Sequence, residues 1–135
     1  AWYEVPLQTP FRHPNRSVEA LRAFLCCPVD RQADVMAAFY RLYWAEQRDF
    51  SSREELQSCL EGLGLDGNDL LQQIDAPQTK QDLMKRTDEA IDLGVFGAPT
   101  FVVDSALFWG QDRLEMVAAA ANGWQPPPES KDFNF

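Results

Sequence analysis

Histidine is nearly absent: there is one, His13, in 135 residues. It lies in a proline-punctuated segment and reads as an exposed polar residue. A histidine-based triad or metal site would have to be built on it alone, so neither is expected. Cysteine is scarce too. Cys26, Cys27 and Cys59 are an odd count without framework spacing, which fits structural thiols in a reducing compartment. Adjacent Cys26-Cys27 is not Cys-x-x-Cys, so it is neither a redox motif nor a zinc knuckle, and no metal is expected. Cations are few, 12 Lys and Arg against 21 Asp and Glu, a formal charge of −9. Nucleic-acid backbones need clustered cations, so they are excluded as partners. No apolar run approaches the ~20 residues of a membrane span. Residues 1–15 hold Pro6, Pro10 and Pro14 and no signal-like apolar core. A cytoplasmic protein without a membrane partner is the expectation.

What is present is material for a core. The chain is 45% hydrophobic, with nine Phe and four Trp. A chain this long buries about two-thirds of its unfolded surface as one domain. Residues 1–16 carry no periodic segment, although Val5-Pro6-Leu7 fits a short edge strand. Ser17 is an N-cap for a helix over Val18–Cys27, with Val18, Leu21, Phe24 and Leu25 on one face, and Pro28 ends it. Asp30 caps a second helix, to about Gln47, that buries Val35, Phe39, Leu42 and Tyr43. Ser51 with Glu54 and Ser52 with Glu55 form overlapping capping boxes for a third, ending at Gly62 or Gly64. Leu65-Asp66-Gly67-Asn68 is a turn and cap, and Leu70, Leu71 and Ile74 make a short fourth helix. Asp75 caps a fifth, with Pro77 in its first turn. Leu83, Met84, Thr87, Ala90 and Ile91 recur along it to about Leu93.

Gly94 to Val117 stands apart. Gly94 stops the fifth helix. Thr100 to Val103 is a β-rich run, Asp104-Ser105 a turn, and Ala106 to Trp109 a second strand. Gly110-Gln111-Asp112 opens a last helix, which ends near Asn122-Gly123, where Trp124 can dock. Gln125 to Phe135 reads as an extended proline-rich tail. Two features here bear on chemistry. Pro99 has no N–H for a sheet ladder. In trans it starts a strand; in cis it sharpens the turn and exposes the backbone of Ala98. The start of the last helix offers free N–H groups to a carboxylate. There Asp112 either caps the helix or accepts an ammonium group, which would let one helix start hold both ends of an amino-acid zwitterion.

The residues Gly94-Val95-Phe96-Gly97-Ala98-Pro99-Thr100-Phe101 and Leu107-Phe108-Trp109-Gly110-Gln111-Asp112-Arg113-Leu114 resemble the C-terminal signature of 2-hydroxychromene-2-carboxylate isomerases. These are relatives of kappa-class glutathione transferases in the DsbA-like branch of the thioredoxin superfamily. Pro14-Asn15-Arg16-Ser17 and Tyr43-Trp44-Ala45-Glu46-Gln47-Arg48-Asp49 extend the likeness over most of residues 5–120. The resemblance implies an α/β chain, mostly α by content: a partial thioredoxin-like fold whose C-terminal ββα carries a helical insertion. The divisions would be 1–16 extended, 17–93 helical insertion, 94–124 ββα and 125–135 tail. The insertion would cover the active site and shape the substrate pocket.

The resemblance also implies glutathione as cofactor and a small aromatic substrate. Pro99 would be cis, Ala98 would bind the cysteinyl backbone beside it, and Gln111 and Asp112 would hold the γ-glutamyl end. The glutathione thiolate would add to the substrate, permit rotation or ring opening, and leave again. Family members carry their catalytic serine on a strand and helix ahead of the position of Ala1, so that serine is expected outside this chain. Three readings follow: a fragment, a truncated product without activity, or a chain paired with another that completes the sheet, a homodimer included. Two other functions stay open beside the isomerase. One is a DsbA-like thiol–disulfide oxidoreductase, which would need a Cys-x-x-Cys motif. The other is a non-catalytic dimeric interaction module.

Overall fold

The structure, a computed structural model, describes residues 4–125. Its elements are α1 (Val18–Cys26), α2 (Gln32–Trp44), α3 (Arg53–Gly62), α4 (Gly67–Gln73), α5 (Pro77–Asp92), β1 (Thr100–Val103), β2 (Ala106–Trp109) and α6 (Leu114–Ala121). Backbone contacts divide the chain into two compact units between Arg86 and Thr87, inside α5. The expected proline-rich tail lies outside the described residues from Pro126 onward.

The first unit packs α1 to α4 around one core. Val35 and Phe39 of α2, Leu56 and Leu60 of α3, Leu70 and Leu71 of α4, and Ile74 are buried together. On α1 the buried residues are Ala20 and Ala23, followed by Cys27. Of the expected face, Phe24 packs against this core and Val18 and Leu25 are half-buried, while Leu21 is exposed, so the fully buried positions are the small ones. Small side chains on the inner side let α1 sit close to its neighbours α2 and α4, and Leu21 is left 46% exposed.

Local chemistry sets most boundaries. The Ser52 hydroxyl accepts from the Glu55 amide at 3.4 Å, and the Asp66 carboxylate accepts from the Asp69 amide at 2.9 Å. Ser51 does not cap; its hydroxyl donates to Asp49 Oδ1 at 2.6 Å. Ser17 occupies the N-cap of α1 but makes no side-chain cap bond. Asp30 falls inside a 3-10 turn, Val29–Arg31, that leads into α2, so it does not cap either. Asp75 pairs with Arg53 Nη1 at 2.8 Å. Along α5 no residue is buried, and the periodic Met84 and Ile91 are 66% and 62% exposed.

Val5-Pro6-Leu7 forms no strand. The segment is instead fastened to the end of α2. The Gln8 N–H donates to the Trp44 carbonyl at 2.6 Å, and Gln47 Nε2 donates to the Thr9 carbonyl at 2.9 Å.

The second unit holds the antiparallel pair β1–β2, with Thr100 opposite Trp109, Phe101 opposite Phe108, Val102 opposite Leu107 and Val103 opposite Ala106. Asp104 takes φ of 53° in the turn, a left-handed conformation that aspartate tolerates better than most residues. A 3-10 turn, Gln111–Arg113, precedes α6, which packs on β1. Among the described residues of this unit, Phe108 and Ala120 are buried.

Candidate functional site

Two surfaces carry chemistry, one in each unit. In the second unit, the Ala98-Pro99 bond is cis. The Gly110 N–H donates to the Pro99 carbonyl at 2.9 Å, which ties the entry of β1 to the residue before Gln111. Thr100 Oγ1 donates to the Gly97 carbonyl at 2.5 Å and fastens the loop ahead of the proline. Beneath that loop lies the Trp109 ring, with the Phe96 ring 5.2 Å from it. A Cβ on Gly97 would come within 2.6 Å of Trp109 Nε1. The close approach of loop and indole is why this position holds glycine.

The four residues expected to bind a ligand thus fall in one neighbourhood. Ala98 is exposed, and among the described residues no backbone hydrogen bond uses its N–H or C=O. Both groups remain available to an extended peptide. Gln111 and Asp112 are exposed in the 3-10 turn. The Asp112 carboxylate lies 3.7 Å from Arg113 Nε, and neither that turn nor α6 has a side-chain cap bond. Capping therefore does not account for Asp112.

In the first unit, a cavity of about 400 Å³ opens between α1, α2 and the segment before α1. Its walls are chiefly Leu21 and Phe24 of α1, Met36, Tyr40 and Trp44 of α2, and Phe50. The exposure of Leu21 has its explanation here: it is a cavity wall. At the rim, His13 Nδ1 is 2.8 Å from the Tyr43 hydroxyl, whose oxygen also lies 3.3 Å from the Arg12 carbonyl. The His13 and Trp44 rings are 5.3 Å apart, and Tyr43 meets Trp44 edge-on at 4.9 Å.

Asp49 anchors this rim. It accepts from Asn15 Nδ2 at 2.7 Å and from the amide and hydroxyl of Ser51 at 3.0 and 2.6 Å. The Ser51 hydroxyl, then the Asn15 amide, hold its carboxyl below the usual carboxylate range. Arg12 adds an ion pair at 3.8 Å.

The model of the DSBA-like thioredoxin domain matches residues 1–122. The chain belongs to the DSBA-like thioredoxin domain family. Within that family it is similar to a 2-hydroxychromene-2-carboxylate isomerase of Sphingobium xenophagum, 33% identical over 117 residues, which are 87% of this chain and 60% of that protein. A second isomerase of that name, from Pseudomonas sp. (strain C18), is 28% identical over 123 residues, covering 90% of this chain and 57% of the other. A solved structure of 2-hydroxychromene-2-carboxylate isomerase superposes with a TM-score of 0.79 at 24% identity, over 90% of this chain and 59% of that one. The chain therefore spans about three-fifths of the length of the proteins it matches. The DsbA-like thioredoxin fold is shown by these matches together, with the C-terminal ββα and helices α1 to α5 as its parts here.

Sequence reasoning located the residues around Pro99 and Gly110 but missed the cavity. His13 is the exposed loop residue expected, but its place at a cavity rim was not foreseen; Tyr43 was expected in the core, and Trp44 entered only through the Tyr-Trp-x-Glu-x-Arg-Asp stretch. The signal lay at the end of α2: three aromatic residues, Tyr40, Tyr43 and Trp44, within one and a half turns.

Proposed function

We propose that this chain carries the substrate pocket and the cofactor-binding residues of a glutathione-dependent isomerase acting on 2-hydroxychromene-2-carboxylate or a closely similar bicyclic aromatic acid. The observation that carries the reading is the cavity of about 400 Å³ walled by Phe24, Tyr40, Trp44 and Phe50. Flat aromatic walls with a few polar groups at the rim suit a planar ligand of two fused rings. The names of the relatives point to the same substrate class.

The residues of the second unit fit glutathione. The unspent backbone of Ala98 would pair with the cysteinyl residue, and Asp112, with Gln111 beside it, would hold the γ-glutamyl end. Bound glutathione would supply a nucleophilic thiolate. The protein's part is to hold that tripeptide by backbone pairing and charge, and to hold the aromatic acid in an apolar pocket that excludes water. A thiol–disulfide reaction at Cys27 or Cys59 is disfavoured, because burial pushes Cys27 up to about 11 and raises Cys59 as well. Reactive thiols are shifted the other way.

Calorimetry tests the cofactor half. The 135-residue chain should bind glutathione, and Asp112→Ala should weaken binding at least fivefold. Absence of binding by the unaltered chain removes the claim that these residues form a glutathione site.

A second reading concerns assembly. In the second unit Phe96 and Trp109 are 77% and 55% exposed, and among the described residues the sheet has two strands. Such a sheet is marginal by itself. Pairing of β1 or β2 with a further strand, from a second copy or another segment, would cover it. Sedimentation across a concentration series distinguishes a self-associating chain from a strict monomer.

A further inference from the structure

We propose that His13, through Nε2, anchors the carboxylate of the aromatic acid in the first unit's cavity, and so selects acids over neutral aromatics of the same shape. The inference rests on the pocket reading above and names the residue that would give it a chemical preference.

Among the described residues, the cavity lining contains no Asp, Glu, Lys or Arg, and His13 is the one side chain in it able to carry a positive charge. The ring is held rather than loose: Nδ1 meets the Tyr43 hydroxyl at 2.8 Å, and Trp44 lies 5.3 Å away, centre to centre. Nδ1 is therefore committed, and Nε2 is the nitrogen left for a ligand.

The Tyr43 hydroxyl has one proton and two acceptors to choose from, His13 Nδ1 and the Arg12 carbonyl at 3.3 Å. If the proton goes to Nδ1, the neutral ring carries its own proton on Nε2. If it goes to Arg12, Nδ1–H donates to Tyr43, and protonation of the ring adds the second proton at Nε2. The first arrangement presents an Nε2–H donor on a neutral ring; the second presents one only on the protonated ring, whose positive charge is the stronger arrangement for a carboxylate.

Competing charge is already engaged. Asp49, the carboxylate that fastens this rim, accepts from Asn15 and twice from Ser51, and Arg12 lies 3.8 Å from it. Ser17 also lines the cavity, and its hydroxyl is not used as a helix cap, so it can serve as a second donor. In a chain of net charge −9, a pocket lined without carboxylates and bearing a histidine is the local exception an organic anion needs.

The probes are 2-naphthoate and 2-naphthamide, titrated calorimetrically into the full 135-residue chain. They share ring size and shape and differ in charge. The acid should bind at least fivefold more tightly. His13→Gln should remove that preference by weakening the acid alone. Equal affinities in the unaltered chain overturn the role of His13 and leave the aromatic pocket standing. A His13→Gln chain that loses both ligands equally overturns it too, since His13 would then only shape the wall. Binding of neither probe by the unaltered chain overturns the pocket reading itself.

Discussion

The Gly110 N–H donates to the Pro99 carbonyl across 2.9 Å. This one bond sets the start of the turn that carries Gln111 and Asp112 beside the entry of β1. Ala98 and Asp112, fourteen positions apart in the chain, share a neighbourhood for that reason, reinforced by the pairing of Thr100 with Trp109.

Gly110 should not tolerate a side chain. Its φ of +104° with ψ of 147° belongs to a region that glycine alone enters readily, and a Cβ there would press into the Asp112 carboxylate. Gly110→Ala should cost about 1–3 kcal/mol and also weaken glutathione binding. Thermal melts followed by tryptophan fluorescence, with Gly62→Ala as the comparison, check this. At Gly62 an added Cβ meets nothing within 4 Å, so that variant should melt unchanged or higher.

Gly67 is constrained by space rather than by torsion. A Cβ there would lie 2.7 Å from the Gln57 carbonyl oxygen, which is α3 backbone and cannot swing aside. Gly67→Ala should therefore separate α3 from α4 and lower stability by about 1–3 kcal/mol, the usual cost of overpacking. Urea unfolding should show a lower midpoint.

Arg53 joins three parts of the first unit. Its Nε and Nη2 donate to both oxygens of Glu19 on α1, at 3.0 and 3.1 Å, and Nη1 donates to Asp75 at 2.8 Å. These groups are partly exposed, so Arg53→Ala should cost only about 1 kcal/mol, less in high salt. Arg53→Lys should recover little, because an ammonium cannot span two carboxylates as the planar fork does. Denaturant curves at low and high salt would show the contrast.

Cys27 makes stability fall with rising alkalinity. Burial first, and then Cys26, raise its thiol from 9.0 to about 11. Between those values the unfolded chain releases a proton that the folded chain retains. Stability should then decline by up to about 1.4 kcal/mol per pH unit. Cys27→Ala should flatten the decline between pH 9 and about 11. In the folded chain at pH 8, Cys27 should also resist alkylation until denaturant is added, which peptide mass mapping would reveal.

The sequence by itself determined the elements whose signals lie within a few residues. The Thr100-Phe101-Val102-Val103 run between Pro99 and Asp104 marked β1 to the residue, and Ala106 to Trp109 marked β2. Asp66 and Ser52 announced α4 and α3, because a cap bond spans only three residues. Ala98 and Gln111-Asp112 stood out at two local signals, a proline before a strand and a glycine before a helix, while their assignment to glutathione came from the family resemblance.

Only the tertiary structure decided which faces would be covered. Leu21 and Met84 sit at regular helical spacings, yet one lines a cavity and the other remains exposed on α5. Periodicity reports that a helix has an apolar face; it does not report whether a neighbour arrives to bury it. The cavity rim was invisible on the same ground. His13 and Tyr43 are thirty residues apart, and they meet because residues 8–15 bond to the end of α2 and the loop after it, through Gln8 to Trp44 and Asn15 to Asp49. No propensity encodes that docking, because its bonds join groups that are local neither to the loop nor to the helix.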